Sequence, residues 1–340
     1  MSAQFTFIDL CAGIGGLRIP FDSEKSLEML GKCVFTAEID QHAKITYATY
    51  FKQPSQTLEE AVLEISNDLN EISPLDVPAH DLLLAGFPCQ PFSHAGKRQG
   101  FSDERGGIFE RISKIIEVRT PKVILLENVR GLKTLRNEDG SSVLGEILKD
   151  LEETKNGVRY FVPTPKLLNA RDFGLAQNRV RLFIVAIRED VALENGLLKA
   201  DDFIWPSATA DRDSLLVSDF LDKNPPKEFT ISDRLWKGHL DRKARNAERG
   251  KGWGYQKFSP DDKYVATISA RYFKDGSEAL IEQKGSNPRK LTPNEARRLQ
   301  GFPEDFPINA SKMQAFRQFG NAVPVNVIAA LAESLKKYLT

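Results

Sequence analysis

The chain has 340 residues, 41% of them hydrophobic and 28% charged, and its 47 basic and 47 acidic side chains leave a formal net charge of zero. That composition excludes a mainly disordered chain, because enough apolar surface exists to offset chain entropy. At roughly 150 residues per domain, the length points to about two domains.

No apolar run approaches the ~18 residues of a membrane span. The N-terminus lacks the basic-then-apolar pattern of a signal peptide, so a cytoplasmic setting is expected. Three cysteines (Cys11, Cys33 and Cys89) with no CxxC spacing make neither a disulfide framework nor a zinc site, and no metal is expected. A reducing compartment keeps a lone thiol free.

In chain order, Phe5–Leu10, Lys32–Ala37, Asp81–Ala85, Lys122–Glu127 and Arg181–Ile187 are the expected strands. Their near-continuous apolar runs predict a mostly parallel sheet covered on both faces. Leu17–Leu30, Gln41–Phe51 and Ile108–Arg119 are expected helices. This β-α-β-α order predicts an α/β, doubly wound, Rossmann-like fold. From about residue 190 to 290 the chain is turn-rich, with short runs such as Tyr264–Ser269 and Ala279–Gln283. A second, smaller and irregular domain follows from that pattern. Thr292-Pro293-Asn294-Glu295 then reads as a capping box, with Gly301 as a stop. Val325–Leu339 sets Ile328, Leu331, Leu335 and Leu339 on one face of a core-packing helix.

Charge is segregated along the chain. Gln53 to Asp81 holds seven acids and no Lys or Arg, whereas Asp233 to Lys257 holds eight bases against three acids. A neutral chain can thereby present one local positive face. A solvated helix surface is the plainer reading for any single one of these residues.

Four motifs carry chemistry. Asp9-Leu10-Cys11-Ala12-Gly13-Ile14-Gly15-Gly16 takes a strand into a glycine-rich turn, where backbone N–H groups can meet a ligand closely. Glu38 ends the next strand, 23 residues after Gly15, and suits the two hydroxyls of a ribose. A tight turn alone is the plain alternative. Cys89 sits in the Pro-bracketed loop Gly86-Phe87-Pro88-Cys89-Gln90-Pro91-Phe92-Ser93, beyond an apolar strand. Cys11 and Cys33 fit a structural role, but an exposed loop thiol is a nucleophile candidate. Glu127 ends another apolar strand, either as a site acid or as a cap of the following turn. Arg179 and Arg181 alternate by two in Gln177-Asn178-Arg179-Val180-Arg181, so on an extended segment they share a side. They make either surface ion pairs or bidentate contacts to carboxylates, phosphates or base edges.

Together, and in this order, these segments resemble the cytosine-C5 DNA methyltransferases of the bacterial restriction–modification type, over nearly the whole chain. FIDLCAGIGG is similar to the cofactor motif, GFPCQPFS to the nucleophile loop, ENV to the acid motif and QNRVR to the arginine motif. RKLTPNEARRLQGFP resembles the segment that precedes the return helix, and QFGNAVPVNV the one that closes the cofactor site. The resemblance implies S-adenosylmethionine as cofactor and double-stranded DNA as partner, with a cognate endonuclease linked in function and not necessarily by contact. It implies a cofactor-binding and catalytic domain over 1–188 and 307–340, and a target-recognition domain over 189–306.

Carried over residue by residue, the resemblance makes Cys89 the nucleophile, and Glu127 a contact to the cytosine. Arg181 holds the base and Glu127, with Arg179 nearby. Asp9, Cys11, Gly13, Gly15, Gly16, Glu38, Ile39, Asp68, Leu69, Pro88, Asn321 and Val323 fall to the cofactor, with Asp68 meeting the adenine amino group. Gln90, Ser93, Lys97, Arg98, Arg249, Lys251 and Arg271 fall to DNA. Arg271 lies in Ile268–Gly276, which with Gly250–Tyr255 makes the expected contact segments, while Trp253, Tyr272 and Phe273 equally suit a small core. Three positions depart from the family pattern. Cys11 stands where an aromatic residue is common, Ile39 where a larger side chain covers the adenine, and Asn67 where glycine usually precedes the acid.

The same cysteine chemistry on RNA, a catalytically silent DNA-binding protein and a nicotinamide oxidoreductase are the competing readings. Intact Cys89, Glu127, Arg179 and Arg181 weigh against the second, and the G-x-G-G spacing against the third.

Overall fold

The structure is a computed structural model that describes residues 4–25, 30–88, 107–211, 214–250, 252, 254–309 and 311–340. The chain divides into two compact units.

The first unit comprises Met1–Leu168, Val180–Pro206 and Ile328–Thr340. Its strands are β1 (Phe5–Leu10), β2 (Gly31–Ala37), β3 (Leu82–Gly86), β4 (Val123–Val129), β5 (Tyr160–Phe161), β6 (Lys166–Asn169) and, later, β8 (Val180–Arg188). The sheet order is β2-β1-β3-β4-β8-β5, with β6 also paired to β8. β2, β1, β3 and β4 run parallel, whereas β8 runs antiparallel to both β4 and β5. Leu82, Leu83, Leu84 and Ala85 of β3 are fully buried, as a strand covered on both faces requires. Helices α1 (Gln41–Phe51), α2 (Leu58–Leu63), α3 (Ile108–Arg119), α4 (Val143–Glu152) and α5 (Glu189–Glu194) belong to this unit. Ile112, Ile115 and Ile116 of α3 and Ile147 and Leu151 of α4 join Leu83, Ile124 and Ile184 in one apolar core.

The second unit comprises Asn169–Arg179 and Ser207–Val327. It holds β7 (Gln177–Asn178) paired with β10 (Val265–Ala266), and β9 (Lys257–Phe258) paired with β11 (Leu280–Ile281). It also holds α6 (Asp233–Glu248), α7 (Pro293–Leu299) and α8 (Lys312–Asn321). The last helix, α9 (Val325–Leu335), begins in the second unit and continues into the first.

The doubly wound α/β class holds, and the strand expectations fall within a residue or two of β1, β2, β3, β4 and β8. The helix expected over Leu17–Leu30 does not form in its described part: residues 17–25 are turns broken by one bridge, Asp22 to Gly31. Pro20 has no N–H to continue a helix. Gly31 N–H instead donates to Phe21 O (3.1 Å) and Ser23 N–H donates to Gly31 O (2.9 Å), closing the segment back onto the start of β2. The region expected to be irregular contains the sixteen-residue α6, N-capped by Ser232. Its one deeply buried residue is His239, and most of its positions are polar or charged, so in sequence the segment reads as solvated surface more than as a core-facing helix. The terminal helix ends at Leu335 and tightens into a 3-10 turn over Lys336–Tyr338. Ile328, Leu331, Leu335 and Leu339 are all buried. By compact unit, residues 169–179 and 307–327 fall in the second and residues 189–206 in the first. Among the described residues, no helix is long and apolar enough to cross a membrane.

The capping box at α7 is complete. Thr292 Oγ1 accepts from Glu295 N–H at 3.2 Å, and Glu295 Oε2 accepts from Thr292 N–H at 2.7 Å. Arg289 adds a two-pronged contact to the same carboxylate, with both distances 2.7 Å. Thr292→Ala should lower stability by about 1–2 kcal/mol, read as a lower urea midpoint of the transition reporting the second unit; an unchanged midpoint contradicts the role of the cap.

Candidate active site

In a parallel sheet the loops that can bind ligands leave the carboxyl ends of the strands, at the point where strand order reverses. Here that point lies between β1 and β3, because β2 flanks β1 on one side and β3 and β4 follow on the other. Beyond β1 the chain turns through left-handed backbone at Cys11 (φ 52°), Gly13 (φ 55°) and Gly15 (φ 86°). A side chain at Gly15 would put its Cβ 2.3 Å from Phe51, whereas nothing lies within 4 Å of one at Gly13. Gly15 is therefore required by packing, and Gly13 leaves open space above the turn. Gly16 is buried behind it.

Glu38, just past β2, fastens this turn. Its carboxylate accepts from Gly13 N–H and from Asp40 N–H, both at 2.7 Å. Ile39 beside it is 65% exposed. Ser66 N–H donates to Thr36 O, and Ser66 O accepts from Glu38 N–H, each at 3.0 Å. That pairing carries Asn67, Asp68 and Leu69 to the end of β2. Asp68 accepts from Asn70 N–H (2.9 Å) and Leu69 is buried. Asn67 is not among the positive-φ residues, so the backbone there needs no glycine. Asp9 lies beneath the turn with no exposed surface, held by Tyr47 OH at 3.3 Å. Burial pushes its carboxyl up to about 8, against the opposing pull of Arg18 and the Tyr47 hydrogen bond. Its Oδ1 has no hydrogen-bond partner among the described residues. Burial, with Glu38 and Asp9 nearby, pushes the Cys11 thiol up to about 12.

Glu127 pairs in register with Gly86, and a Cβ on Gly86 would sit 3.5 Å from Glu127 Oε2. The exposed Pro88 lies two residues beyond. Because β8 is antiparallel, its beginning reaches this edge, with Arg181 opposite Val129. Arg181 Nε meets Glu127 Oε1 at 3.0 Å, with both side chains nearly buried. Burial pulls the Arg181 guanidinium below its usual range, and Glu127 opposes that. Asn128, unassigned by sequence, donates to Phe87 O at 3.0 Å and accepts from Val129 N–H at 2.8 Å. It thus pins the start of the loop after β3 to β4. Its place beside Glu127 in the ENV motif was the only available signal.

Arg179 and Arg181 do not share a side. Arg179 N–H bonds back to Gln177 O (2.9 Å), a tight turn that interrupts the extended run between β7 and β8. The Arg179 guanidinium, fully buried in the second unit, donates to Ile268 O (2.9 Å), Gly320 O (2.8 Å) and Ala322 O (2.7 Å). In the same unit Asn321 is exposed and Val323 buried. Arg249 and Arg271 are exposed, while Tyr272 is core, donating to Ala279 O (2.7 Å) and packing edge-on against Phe316. Cys89, Gln90, Ser93, Lys97, Arg98 and Lys251 lie outside the described residues.

Comparison with known proteins identifies the family. The model of the C-5 cytosine-specific DNA methylase family matches residues 5–337. The chain is 45% identical over 336 residues to the Type II methyltransferase M.DsaV of Dactylococcopsis salina, covering 99% of this chain and 87% of that protein. It is 44% identical over 338 residues to the Type II methyltransferase M.NlaX of Neisseria lactamica, covering 99% and 98%. The crystal structure of S. pombe Dnmt2 methyltransferase shares the fold, with a TM-score of 0.71, 17% identity and 98% of each chain covered. The chain belongs to the C-5 cytosine-specific DNA methylase family and is a DNA cytosine-5 methyltransferase.

Proposed function

We propose that the chain transfers a methyl group from S-adenosylmethionine to carbon 5 of a cytosine in a specific duplex sequence, through a transient Cys89–carbon 6 bond, and that the mark protects DNA from a cognate endonuclease. The observation that carries the mechanism is the Glu127–Arg181 pair, held at 3.0 Å at the sheet edge from which the Cys89 loop departs.

The residues around the glycine turn suit the cofactor. Open space over Gly13 and the unpartnered Oδ1 of Asp9 offer room and a polar contact. Glu38 would take the ribose hydroxyls, Ile39 and Leu69 apolar contact with the adenine, Asp68 its amino group, and Asn321 and Val323 the methionine end. When bound, S-adenosylmethionine supplies an electrophilic methyl on a sulfonium.

Carbon 5 of cytosine is a poor nucleophile. The Cys89 thiolate adds to carbon 6 and makes the ring an enamine, which splits one hard step into easier ones. Glu127, which must first take up a proton because the carboxylate paired with Arg181 has none to give, donates to N3, and Arg181 stabilises charge at O2 while orienting Glu127, a preorganised electrostatic role. Once carbon 5 is methylated, water or another base takes the carbon 5 proton, the carbon 5–carbon 6 double bond re-forms, Cys89 leaves as the thiolate, and N3 returns its proton to Glu127. The thiol reaches only a base rotated out of the duplex, at a cost of a few kcal/mol of unstacking. Arg249, Lys251, Arg271, Lys97 and Arg98 would hold phosphates or read bases, giving salt-dependent binding. Arg179 would position the Ile268 loop and not touch the base.

Cys89→Ser should abolish methyl transfer while leaving S-adenosylhomocysteine affinity near normal; full transfer of tritiated methyl by the variant overturns the nucleophile assignment. Duplexes carrying 5-fluorocytosine should trap a covalent adduct that survives denaturing gels, since fluorine cannot leave as a proton, and no adduct means no Cys89–base bond. Arg181→Ala should lower kcat about 100-fold or more, the scale of losing one charge-stabilising donor, while cofactor affinity changes little. An unchanged rate removes Arg181 from the site. Bisulfite sequencing of DNA from expressing cells reads activity and target together.

A further inference from the structure

Asn67, where the family pattern has glycine, is explained neither by the backbone nor by the chemistry above. Its side chain is engaged. Asn67 Oδ1 accepts from Lys44 Nζ at 2.7 Å and from Gln41 Nε2 at 3.4 Å. Lys44 lies on α1 and is only 4% exposed. A buried ammonium is costly unless it is hydrogen-bonded and has a counter-charge nearby. Asn67 supplies the hydrogen bond, and the Glu38 carboxylate supplies the attraction. Both ends of the Lys44 contact therefore concern residues proposed to hold the adenosine half of the cofactor.

The geometry around Asp68 shows why a strut is needed. The segment is attached to β2 through Ser66 and anchored by buried Leu69, but Asn67 and Asn70 are exposed. Asp68 Oδ1 is spent on Asn70 N–H, and Oδ2 has no partner among the described residues. Where Oδ2 points depends on the backbone at Asn67–Asp68. A glycine at 67 would leave that backbone free to rotate; Asn67, tied to a rigid helix by a charge-assisted hydrogen bond, does not.

We infer that Lys44 is a positioning residue for the adenosine half of the cofactor, acting through Asn67 on Asp68. The inference rests on the cofactor reading given above. It makes Lys44 and Asn67 a coupled pair that sharpens selection for the exocyclic amine of adenine.

The test is calorimetric titration of the full-length chain with S-adenosylhomocysteine and with S-inosylhomocysteine, in which an oxo group replaces that amine. Wild type should prefer the adenine ligand. Lys44→Met should weaken S-adenosylhomocysteine about tenfold, the scale of a charge-assisted hydrogen bond, and leave S-inosylhomocysteine within about twofold. Asn67→Gly should do the same, and the double variant should be no worse than either single one, as a coupled pair requires. Melting curves check that each variant is folded, and a loss confined to one ligand cannot come from unfolding. Equal losses for both ligands, or additive losses in the double variant, overturn the inference while the cofactor reading stands. A wild-type chain that binds neither ligand overturns the cofactor reading itself.

Discussion

A strand that runs against its neighbours turns its beginning toward the edge where they finish. β8 does this beside β4, and Arg181 arrives at the edge where β4 delivers Glu127. Were β8 parallel, Arg181 would start at the opposite edge of the sheet, a strand length from the carboxylate. The pair is not there for stability. Taking two charges out of water costs several kcal/mol per ion, and their attraction does little more than offset that. Breaking such a pair by removing one partner costs about 3–5 kcal/mol, because the other charge is left buried and alone. Under the proposed mechanism the arrangement is a preorganised charge distribution for a polar ring, with Asn128 holding the adjoining loop to the same strand.

The second unit is organised about a different arginine. Arg179 draws together three carbonyls from two distant segments, Ile268 on one and Gly320 and Ala322 on the other. The fit leaves no slack: a Cβ on Gly320 would lie 2.3 Å from Ser269 O. Gln177 works alongside, donating to Leu299 O (2.9 Å) and accepting from Ile268 N–H (3.0 Å). The short motif QNRVR thus serves two units at once. Gln177 and Arg179 staple loops in one, and Arg181 faces the acid in the other.

What was legible in sequence divides along physical lines. The sheet was legible because buried parallel strands must be apolar at almost every position, as β3 is. The glycine turn, Glu38 and Glu127 were legible because strand ends locate them. The separate fates of Arg179 and Arg181 were not. Alternation predicts a shared side only on an unbroken strand, and the partners of Arg179 lie 89 to 143 residues away in sequence. Lys44 was equally hidden, since a lysine on a helix ordinarily reads as solvated surface. The helix expected after the glycine turn failed at Pro20, a signal that was present and outweighed by the apolar residues around it.

The interleaving of the units has a consequence for biosynthesis. The chain passes from one unit to the other after Leu168, Arg179, Pro206 and Val327. Ile328, Leu331 and Leu335 are buried parts of the unit that also contains the first strand, β1. A nascent polypeptide therefore cannot finish the sheet-bearing half early and move on to the rest. Its earliest strands must wait on the ribosome for the last helix, with apolar surface uncovered meanwhile, a long-range closure that is slow and open to aggregation or chaperone capture.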